Sequence, residues 1–486
     1  MSEKIEELRQ VRIEKLNKLK TAGIDPYPVE SERTDEIGEV IANFAELSAN
    51  KKLVTLAGRI RSIRTHGKLT FGNLEDSSGQ IQFLLREDVL GEKLFKDFAD
   101  FLDIGDFLQI TGTLSLSKTN EKTLEATAYK LLTKSIRPIP QNYFGLKDLE
   151  VKLRKRYLDL IANPETRELF RKKAVFWQTI RNFMIKEEFL EVWTPVLENI
   201  PGGADAEPFI THHNALDRDF YLRISLELPL KKLLVGGLDK VFEIGRVFRN
   251  EGIDREHLQE YDALEFYWAY SDYGKGMDLV EKLYKNIVKK VIGQSETEYE
   301  GHKINWDGKW KHVDYFELFE KETGLDLNNV SDEELLVYTK KIKIEIIRAM
   351  GRGRLIDAIY KKTVRPKLIQ PCFLVGHPLE TSPLAKKDPK NPKRILRFQP
   401  IAGGSELGMG FSELNDPIDQ NARFDEQMKM KEAGDKEAHM KDEDFVEALE
   451  YGLPPAVGFG MSERLFAVLM NKSIRETVIF PPMKNE

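Results

Sequence analysis

Five short segments between residues 52 and 135 alternate apolar and polar side chains, and they constrain the fold more than any other feature. They read LVTLAGRIRSIR, KLTFGNLED, GQIQFLLRE, DFLQITGTLSLS and TLEATAYKLLT, separated by Gly, Asp, Ser and Asn. A period of two is typical of half-buried β-strands. Five strands, with a helix predicted over roughly 88–102, fit a small closed barrel of the OB type.

Residues 1–50 are expected to form a helical extension before this barrel, which we place at 51–140. Apolar residues recur at helical spacing from Ile5 to Leu19, and Gly23 followed by DPYP ends the helix. The helix is rich in Lys, Arg and Glu, so a solvated face and a nucleic-acid contact remain equally open. The segment SIRPIPQ then reads as a linker.

From about residue 150, helical and strand patterns mix. RELFRKKAVFWQTIRNFMIKEEF is amphipathic with a helical period, whereas VFEIGRVFR and ALEFYWAY read as strands. A helical insertion is predicted around 330–365. The sequence therefore predicts an α+β fold, with 141–486 as a second domain.

Bulk properties exclude several classes of protein. The net charge of −6 argues against an indiscriminate nucleic-acid binder, although a local basic face stays possible. No apolar run suggests a membrane span, and the charged N-terminus is not a secretory signal. Cys372 is the single cysteine and sits in an apolar stretch, so we expect an inert core thiol in a cytoplasmic protein without membrane partners. P-loop, GxGxxG and HExxH motifs are absent from the sequence.

The stretch FRNEGIDREHLQEYDALEFYWAY, residues 248–270, holds the first candidate functional residues. Arg249 ends one predicted strand, and the next strand carries Glu265 and Tyr267 on one face and Leu264 and Phe266 on the other. An antiparallel hairpin could bring Arg249 near Glu265. An internal ion pair and part of a functional pocket are both compatible with this pattern.

Charged residues elsewhere favour a polar pocket with two parts. Glu227 lies in an apolar environment, Glu406 and Glu413 lie on a predicted glycine-rich strand, and Arg464 begins a predicted helix. Arginines suit phosphates, whereas carboxylates suit an ammonium group or Mg²⁺. A buried ammonium is costly unless it is paired, so a free cationic amine needs such acids.

At these residues the sequence resembles a class II aminoacyl-tRNA synthetase, and specifically a lysyl-tRNA synthetase. The resemblance rests on EEFLEVWTPVLENIPGGADAEPFITHHNALD, VFEIGRVFRNEGIDREHLQEYDALEFYWAYSDY and GLPPAVGFGMSERLFAVLMNKSIRETVIFPP, with HPLETSPLAKK and ELGMGFSELNDPIDQ. AGRIRS, GKLTFGNLEDSSGQIQF and LLTKSIRPIP resemble its anticodon-binding barrel. The resemblance covers essentially the whole chain. It implies a class II synthetase catalytic domain, built on an antiparallel sheet with flanking helices, behind the barrel.

The family's ATP site supplies expected roles. Arg249 would bind the α-phosphate and the amino-acid carboxylate, because a fixed cation screens the repulsion between two approaching anions. Glu251 and His257 would lie near adenine and the terminal phosphates, and Tyr261 would stack on adenine. Arg464 would lie on the γ-phosphate side, so Arg249 and Arg464 are the expected catalytic residues. Glu406 matches a ligand of the cofactor Mg²⁺.

The same resemblance implies how lysine and tRNA bind. Glu227 would receive the α-ammonium of lysine, and Tyr267 with Glu413 would receive the ε-ammonium, with Glu265 close by. In the barrel, Phe71 would stack on an anticodon base and the Gln82 amide would read a base edge. Arg59 and Glu121 would make further anticodon contacts. The implied partners are lysine tRNA, lysine, ATP and a second copy of the chain.

Several positions depart from the family pattern. Gln399 stands where a second Mg²⁺-binding glutamate is usual, and Met409 replaces an asparagine that contacts the substrate carboxylate. Ser462–Glu463 replaces a Gly-x-Asp pattern in a motif shortened by one residue, and Glu207 replaces an arginine. A bulge at Gly408 or Gly410 would be needed to turn both Glu406 and Glu413 into one site.

Three other functions stay open. An aspartyl or asparaginyl synthetase shares the plan but needs an arginine where this chain has Glu413 and Tyr267. A ligase that attaches lysine to a protein lacks the barrel. A non-catalytic, synthetase-like tRNA-binding protein draws its support from Gln399 and Met409.

Overall fold

The computed structural model describes residues 2–139, 148–252, 257–344, 351–433, 438 and 440–483. The chain divides into two compact units, Met1–Asp148 and Leu149–Glu486. Within the described ranges, helices are either too short or too polar to cross a membrane.

The first unit contains a closed barrel whose strands follow the order β1-β2-β3-β5-β4. Its strands are β1 (Val54–His66), β2 (Leu69–Glu75), β3 (Gln80–Arg86), β4 (Phe107–Leu116) and β5 (Lys122–Thr133); its helices are α1 (Ser2–Thr21), α2 (Ile37–Ala42), α3 (Phe44–Ala49), α4 (Glu87–Leu90) and α5 (Glu92–Phe101). The predicted OB-type barrel is thus confirmed. The single helix expected at 88–102 is wrong: Gly91, at a φ of +81° that other residues rarely adopt, separates α4 from α5.

The N-terminal helix α1 packs within this same unit. Arg12 donates from Nη2 to the carbonyl of Ile104 at 2.9 Å, and Lys15 pairs with Asp103 at 2.8 Å. Asp103 also pairs with Lys134, whose ammonium is fully buried. These charges therefore fix α1 to the barrel, in addition to the apolar contact of Leu19 with the barrel core.

The second unit is an α+β structure. Its helices are α6 (Leu149–Arg154), α7 (Arg156–Ala162), α8 (Pro164–Lys186), α9 (Glu227–Val235), α10 (Tyr273–Val291), α11 (Tyr315–Thr323), α12 (Asp332–Lys341), α13 (Arg352–Ile359), α14 (Pro417–Glu432), α15 (Glu443–Glu450) and α16 (Arg464–Leu469). Its strands are β6 (Leu190–Glu191), β7 (Leu197–Glu198), β8 (Ile210–His213), β9 (Arg218–Leu222), β10 (Lys240–Phe248), β11 (Glu260–Ala269), β12 (Glu296–Tyr299), β13 (His302–Asn305), β14 (Lys311–Asp314), β15 (Cys372–Val375), β16 (Lys387–Asp388), β17 (Asn391–Ile395), β18 (Arg397–Ala402), β19 (Ser405–Glu406), β20 (Met409–Ser412) and β21 (Ala456–Ser462). A π-helix, Tyr360–Val364, continues α13.

A large sheet organises this unit, in the order β14-β15-β18-β20-β21-β11-β10-β6 with β19 beside β18. The pairs at its two edges, β14 with β15 and β10 with β6, are parallel, and the inner pairs are antiparallel. The region expected to be a helical insertion contains α12 and α13, which pack on Tyr315 and on Ile401 of the sheet.

The alternation predicted for β11 is confirmed. Leu264 and Phe266 face a core formed with α8 and α10. Ala263 and Tyr267 face the opposite side of the sheet, where α9 and α15 pack. The candidate polar residues therefore lie on the side of the sheet away from its largest apolar core. Cys372 is buried in β15, and burial raises the pKa of its thiol to about 12, so it stays protonated.

Candidate active site

A cavity of about 380 Å³ lies on the face of the large sheet that carries Ala263 and Tyr267. Its wall includes most of the predicted site residues, namely Glu227, Arg249, Tyr261, Glu265, Tyr267, Glu406 and Arg464. Arg354, Lys361 and Arg397 also line it, and sequence reasoning missed all three. The cavity therefore combines carboxylates and a phenol from α9 and β11 with cations from other elements.

Glu265 lies at the centre of the acidic part. Its Oε1 accepts from the hydroxyl of Ser225 at 2.7 Å and from the backbone N–H of Leu226 at 2.9 Å, and its Oε2 accepts from the hydroxyl of Tyr267 at 3.0 Å. Burial, with a smaller contribution from the nearby charge of Glu227, raises the pKa of Glu265 to about 7. The free protein thus holds a carboxyl group that titrates near neutrality.

Glu413 does not line the cavity directly and is 1% exposed. Its Oε2 forms an ion pair with Lys231, a residue that the sequence interpretation did not consider. Its Oε1 accepts no hydrogen bond from the described residues, and it lies 2.2 Å from where a Cβ on Gly458 would stand. Because Gly458 lines the cavity, the absence of a side chain there leaves this carboxylate oxygen close to the cavity wall.

Lys231 joins two of the predicted lysine-binding acids. Its Nζ lies 2.5 Å from Oε1 of Glu227 and also pairs with Glu413, and the side chain is fully buried. Burial disfavours the ammonium, but the charges of Glu227 and Glu413 outweigh it, so the pKa of Lys231 lies above its usual value. The signal that could have revealed it is the Glu–Lys spacing of four along a helix.

The expected proximity of Arg249 to Glu265 holds only in the sense that both line one cavity. The hairpin register places Glu243, not Arg249, opposite Glu265. The Arg249 guanidinium lies 5.6 Å from the ring centre of Tyr261, and its Nε donates to the carbonyl of Ile224 at 3.3 Å. The cation and the aromatic ring are therefore adjacent on the cavity wall.

Arg464 begins α16, as predicted, and its Nη1 donates to the carbonyl of Glu406 at 3.3 Å. Glu251 and His257 are not among the residues that line the cavity. The backbone carbonyl of Glu251 accepts from Gln259 at 2.9 Å, and His257 is exposed. Residues 253–256, which connect Glu251 and His257, lie outside the described residues.

The bulge expected near Gly408 is confirmed. On β18, Ile401 pairs with Glu406, whereas Phe398 pairs with Gly410, so one additional residue lies between the two pairings. A Cβ on Gly408 would stand 2.5 Å from the ring of Phe459 and 2.8 Å from the carbonyl of Gly460. Only glycine fits this irregular segment, which lets Glu406 and Met409 both line the cavity.

Gln399 is held by a hydrogen bond with a buried histidine, His377. Gln399 lines the cavity from β18, and its Oε1 lies 2.9 Å from Nε2 of His377, which is buried. Burial lowers the pKa of His377 well below its usual value, so the imidazole is neutral. The Gln399 amide oxygen therefore already accepts a hydrogen bond from a neutral histidine.

Glu406 is the carboxylate predicted to hold Mg²⁺. Its Oε1 is buried and accepts no hydrogen bond in the described structure, and Nη1 of Arg365 lies 3.8 Å away. Across the residues that the structure describes, His, Cys, Asp and Glu do not gather in threes suited to a metal ion. One carboxylate oxygen is a donor set that Mg²⁺ accepts when substrate phosphates and water complete its shell.

In the barrel, three of the four predicted anticodon residues lie together. Phe71 and Gln82 are on facing strands, in the pairs Phe71–Leu84 and Asn73–Gln82, so their side chains share the outer face. The Gln82 amide donates to Glu121 at 2.6 Å. Arg59 lies farther along β1, where its guanidinium donates to the carbonyl of Gly105 at 3.0 Å and stacks on Phe107.

Comparison with protein families defines the class of this fold and site. Residues 148–484 match the model of class II tRNA synthetases (D, K and N), and residues 54–132 match the OB-fold nucleic acid binding domain. The chain belongs to the family of class II tRNA synthetases. This match confirms the predicted resemblance and the order of the two domains.

Curated relatives narrow the comparison. A lysine–tRNA ligase of Thermoanaerobacter pseudethanolicus is 46% identical over 487 residues, which cover 99% of this chain and 97% of the relative. The lysine–tRNA ligase of Carboxydothermus hydrogenoformans is 44% identical, with 99% of each chain covered. That of Bacillus subtilis is 43% identical, with 99% of this chain and 98% of the relative covered.

Proposed function

We propose that this chain is an ATP-dependent lysine–tRNA ligase. A carboxylate oxygen of lysine attacks the α-phosphorus of ATP, the bond to the β-phosphate oxygen breaks, and pyrophosphate leaves. The 3′-terminal ribose hydroxyl of lysine tRNA then attacks the carbonyl carbon of lysyl-adenylate, and AMP leaves. The observation that carries the proposal is a cavity with buried carboxylates beside a phenol on one side and the Arg249 guanidinium on the other.

The acidic part suits the two ammonium groups of lysine. Glu227 would receive the α-ammonium. The ε-ammonium would donate to Oε1 of Glu413 and to the hydroxyl oxygen of Tyr267. That oxygen can accept because the Tyr267 hydroxyl donates its own hydrogen bond to Glu265. An ammonium has three donors and no acceptor, so it needs this set of acceptor oxygens. Glu265 would add negative charge at their centre.

The cationic part suits ATP and the lysine carboxylate. Arg249 would contact both the α-phosphate and the carboxylate and lower their repulsion, and Tyr261, beside it, would stack on adenine. Arg464 would bind the γ-phosphate. Glu251 and His257, which follow Arg249 closely in the sequence, would also contact ATP. Catalysis then needs positioning and fixed charge rather than a covalent nucleophile.

Glu406 is the residue that would hold Mg²⁺ when ATP is bound. The ion would supply positive charge to the phosphate oxygens. Gln399 stands at the second expected ligand position, but it is neutral and already hydrogen-bonded to His377. The protein therefore contributes one carboxylate, which predicts a weaker hold on the ion than two would give.

The barrel is proposed to bind the anticodon of lysine tRNA. Phe71 is half-buried on the outer face, so one side of its ring can stack on a base. Glu121 is exposed and offers polar atoms to a base edge, whereas Gln82 is buried, with its amide donating to Glu121 and accepting from Thr123, and would have to exchange one of these hydrogen bonds to read a base. Arg59 would supply charge toward the phosphate backbone, although its guanidinium contacts Gly105 and Phe107 in the free protein.

We also propose a homodimer that acts in the cytoplasm, where lysine, ATP and tRNA are available. The support for a dimer is a group of apolar side chains exposed on neighbouring segments: Leu190, Trp193, Leu197 and Ile210, which are 51%, 77%, 46% and 62% exposed. Contiguous exposed apolar surface is typical of protein interfaces. Sedimentation equilibrium of the purified chain tests this point.

Amino-acid-dependent ATP–pyrophosphate exchange tests the activity. Lysine should support exchange, whereas aspartate and asparagine should not, because the buried carboxylates repel an acidic side chain. Exchange with either of those amino acids would favour the related specificities. A folded protein that binds lysine tRNA but shows no exchange at any Mg²⁺ concentration would favour a non-catalytic role.

A further inference from the structure

The ammonium of Lys231 is buried beside the proposed lysine site. It extends from α9 to Oε1 of Glu227 at 2.5 Å and to the Glu413 carboxylate, and its side chain is fully inaccessible. The rings of Phe411 and Phe445 lie 5.3 and 5.8 Å from Nζ. Lys231 is not among the residues that line the cavity.

A Glu–Lys pair four residues apart on a helix is common and by itself indicates nothing more than local stabilisation. Here the same ammonium also reaches Glu413, which follows β20 and is remote in sequence. It therefore links α9 to the segment that follows β20, and it contacts two carboxylates that are both proposed to contact the substrate. The contact leaves Oε1 of Glu413 without a hydrogen bond from the described residues.

The charges around the site have a simple balance. Glu227, Glu265 and Glu413 are buried carboxylates, and Lys231 is the ammonium in direct contact with two of them. When all are ionised, this group carries two negative charges. Lysine brings two ammonium groups to the same place, while its carboxylate belongs with Arg249. Burial and mutual repulsion already raise the pKa values of Glu265 and Glu413, and the charge of Lys231 opposes this for Glu413, so loss of Lys231 would favour protonation of Glu413 further.

We propose that Lys231 is a positioning and specificity-determining residue of the lysine site. Its ammonium holds the carboxylates of Glu227 and Glu413 in place, and its charge opposes the protonation of Glu413 that burial and the neighbouring acids favour. It also sets a net charge that the two ammonium groups of the substrate balance. It does not contact the reacting atoms. This inference rests on the proposed function, because it takes Glu227 and Glu413 as the groups that bind lysine.

The test measures lysine-dependent ATP–pyrophosphate exchange in the full chain carrying Lys231→Met. A protonated Glu413 is a poor acceptor for an ammonium, so kcat/KM for lysine should fall about 100-fold or more, mainly through KM. The KM for ATP should change less than threefold. The preference for lysine over norleucine, which lacks the ε-ammonium, should shrink, and a purely structural role would not change that ratio selectively.

Lys232→Met is the matched control. Lys232 is the next residue on the same helix, but it is partly exposed and pairs with Asp444 and Asp442. Its loss should leave the lysine preference intact. A second test uses Lys231→Ala with ethylammonium or propylammonium added, since a small amine can occupy the vacated space. Recovery of at least tenfold in kcat/KM for lysine is expected.

A folded Lys231→Met protein with unchanged kcat/KM and an unchanged lysine-to-norleucine ratio would overturn the inference. If Lys231→Met does not fold, Lys231→Met with Glu227→Gln decides, because removing one acid with the cation restores the charge balance and leaves Glu413, the group proposed to receive the ε-ammonium, in place. That double variant should fold and still discriminate poorly, and normal discrimination in it would refute the inference. Glu413→Gln alone separates the two proposals: unchanged lysine kinetics in that variant would remove the proposed site itself.

Discussion

Lysine binding should release a proton near neutral pH, and the group that loses it should be Glu265. Burial raises the pKa of this carboxyl to about 7 in the free protein. Below pH 7 the free site therefore holds mainly the neutral acid. An incoming ammonium favours the carboxylate, so binding should return the pKa toward its ordinary range.

The magnitude follows from these two values. If the bound-state pKa returns to about 4.5, lysine should bind about tenfold more weakly at pH 6 than at pH 8. About 0.9 proton should be released per lysine bound at pH 6, and almost none at pH 8. The ε-ammonium of lysine stays protonated across this interval, and partial loss of the α-ammonium proton would weaken binding at pH 8, which is the opposite of the expected trend.

Isothermal titration calorimetry gives both quantities. The heat of lysine binding, measured in two buffers with different ionisation heats, reports the number of protons released, and the titration gives Kd at each pH. Glu265→Gln should abolish the pH dependence. Glu198→Gln is the control, because Glu198 lies outside the cavity wall and burial raises its pKa to about 8. Equal Kd values at pH 6 and pH 8 in the unmodified protein would refute the reasoning.

Glu265 should also make the free energy of unfolding depend on pH, in the direction opposite to that of an acid in a salt bridge. A carboxyl whose pKa is raised by folding binds more protons in the native state than in the unfolded state between about pH 4.5 and pH 7. The free energy of unfolding should therefore fall as pH rises through that interval, by about 3 kcal/mol from this group. Denaturant titrations of the free protein and of Glu265→Gln check the difference.

Three further substitutions test separate parts of the proposal. Glu413→Gln should lower kcat/KM for lysine by about two to three orders of magnitude, because a buried charge that loses its partner costs about 3–5 kcal/mol; unchanged steady-state lysine kinetics would contradict this. Phe71→Ala should raise KM for tRNA by an amount equivalent to about 1–3 kcal/mol while leaving ATP–pyrophosphate exchange intact; an equal loss of exchange would assign the ring to fold stability. Gln399→Glu should lower the Mg²⁺ concentration needed for half-maximal exchange, and Gln399→Met is the control because its side chain cannot bind the ion. If Gln399→Glu leaves that concentration unchanged, residue 399 does not contribute to Mg²⁺ binding.

The sequence predicted those parts of the fold that follow from local periodicity. The alternation in 52–135 identified the barrel strands, and the alternation in β11 placed Leu264 and Phe266 in the core and Tyr267 on the site face. Strand faces are predictable because side chains alternate strictly. The helix between β3 and β4 was less predictable, since a single glycine, Gly91, divides it through a backbone angle that periodicity does not reveal.

The site was predictable only as far as its residues match the family pattern. Glu227 and Glu413 were identified, but their common partner Lys231 was not, because the contact joins α9 to the segment after β20 and depends on tertiary packing. Arg354, Lys361 and Arg397 were missed for the same reason. In contrast, the bulge near Gly408 could be anticipated, because strict alternation would point Glu406 and Glu413 to opposite faces of the strand although both were expected at one site.

Gln399 and Met409 differ from the family pattern at an expected Mg²⁺ ligand and at an expected hydrogen bond to the substrate carboxylate. The other charged residues that the reaction requires are present. Arg249, Glu406 and Arg464 all line the cavity. Loss of one hydrogen bond to a substrate carboxylate weakens binding by about 1.5–3 kcal/mol, which lowers affinity without removing the attack on phosphorus. An aspartate side chain, in turn, would meet carboxylates at the acidic end. The buried ammonium of Lys231 lies there too, but it already pairs with two of those carboxylates. The charge distribution therefore favours lysine activation over both the acidic-substrate and the non-catalytic alternatives.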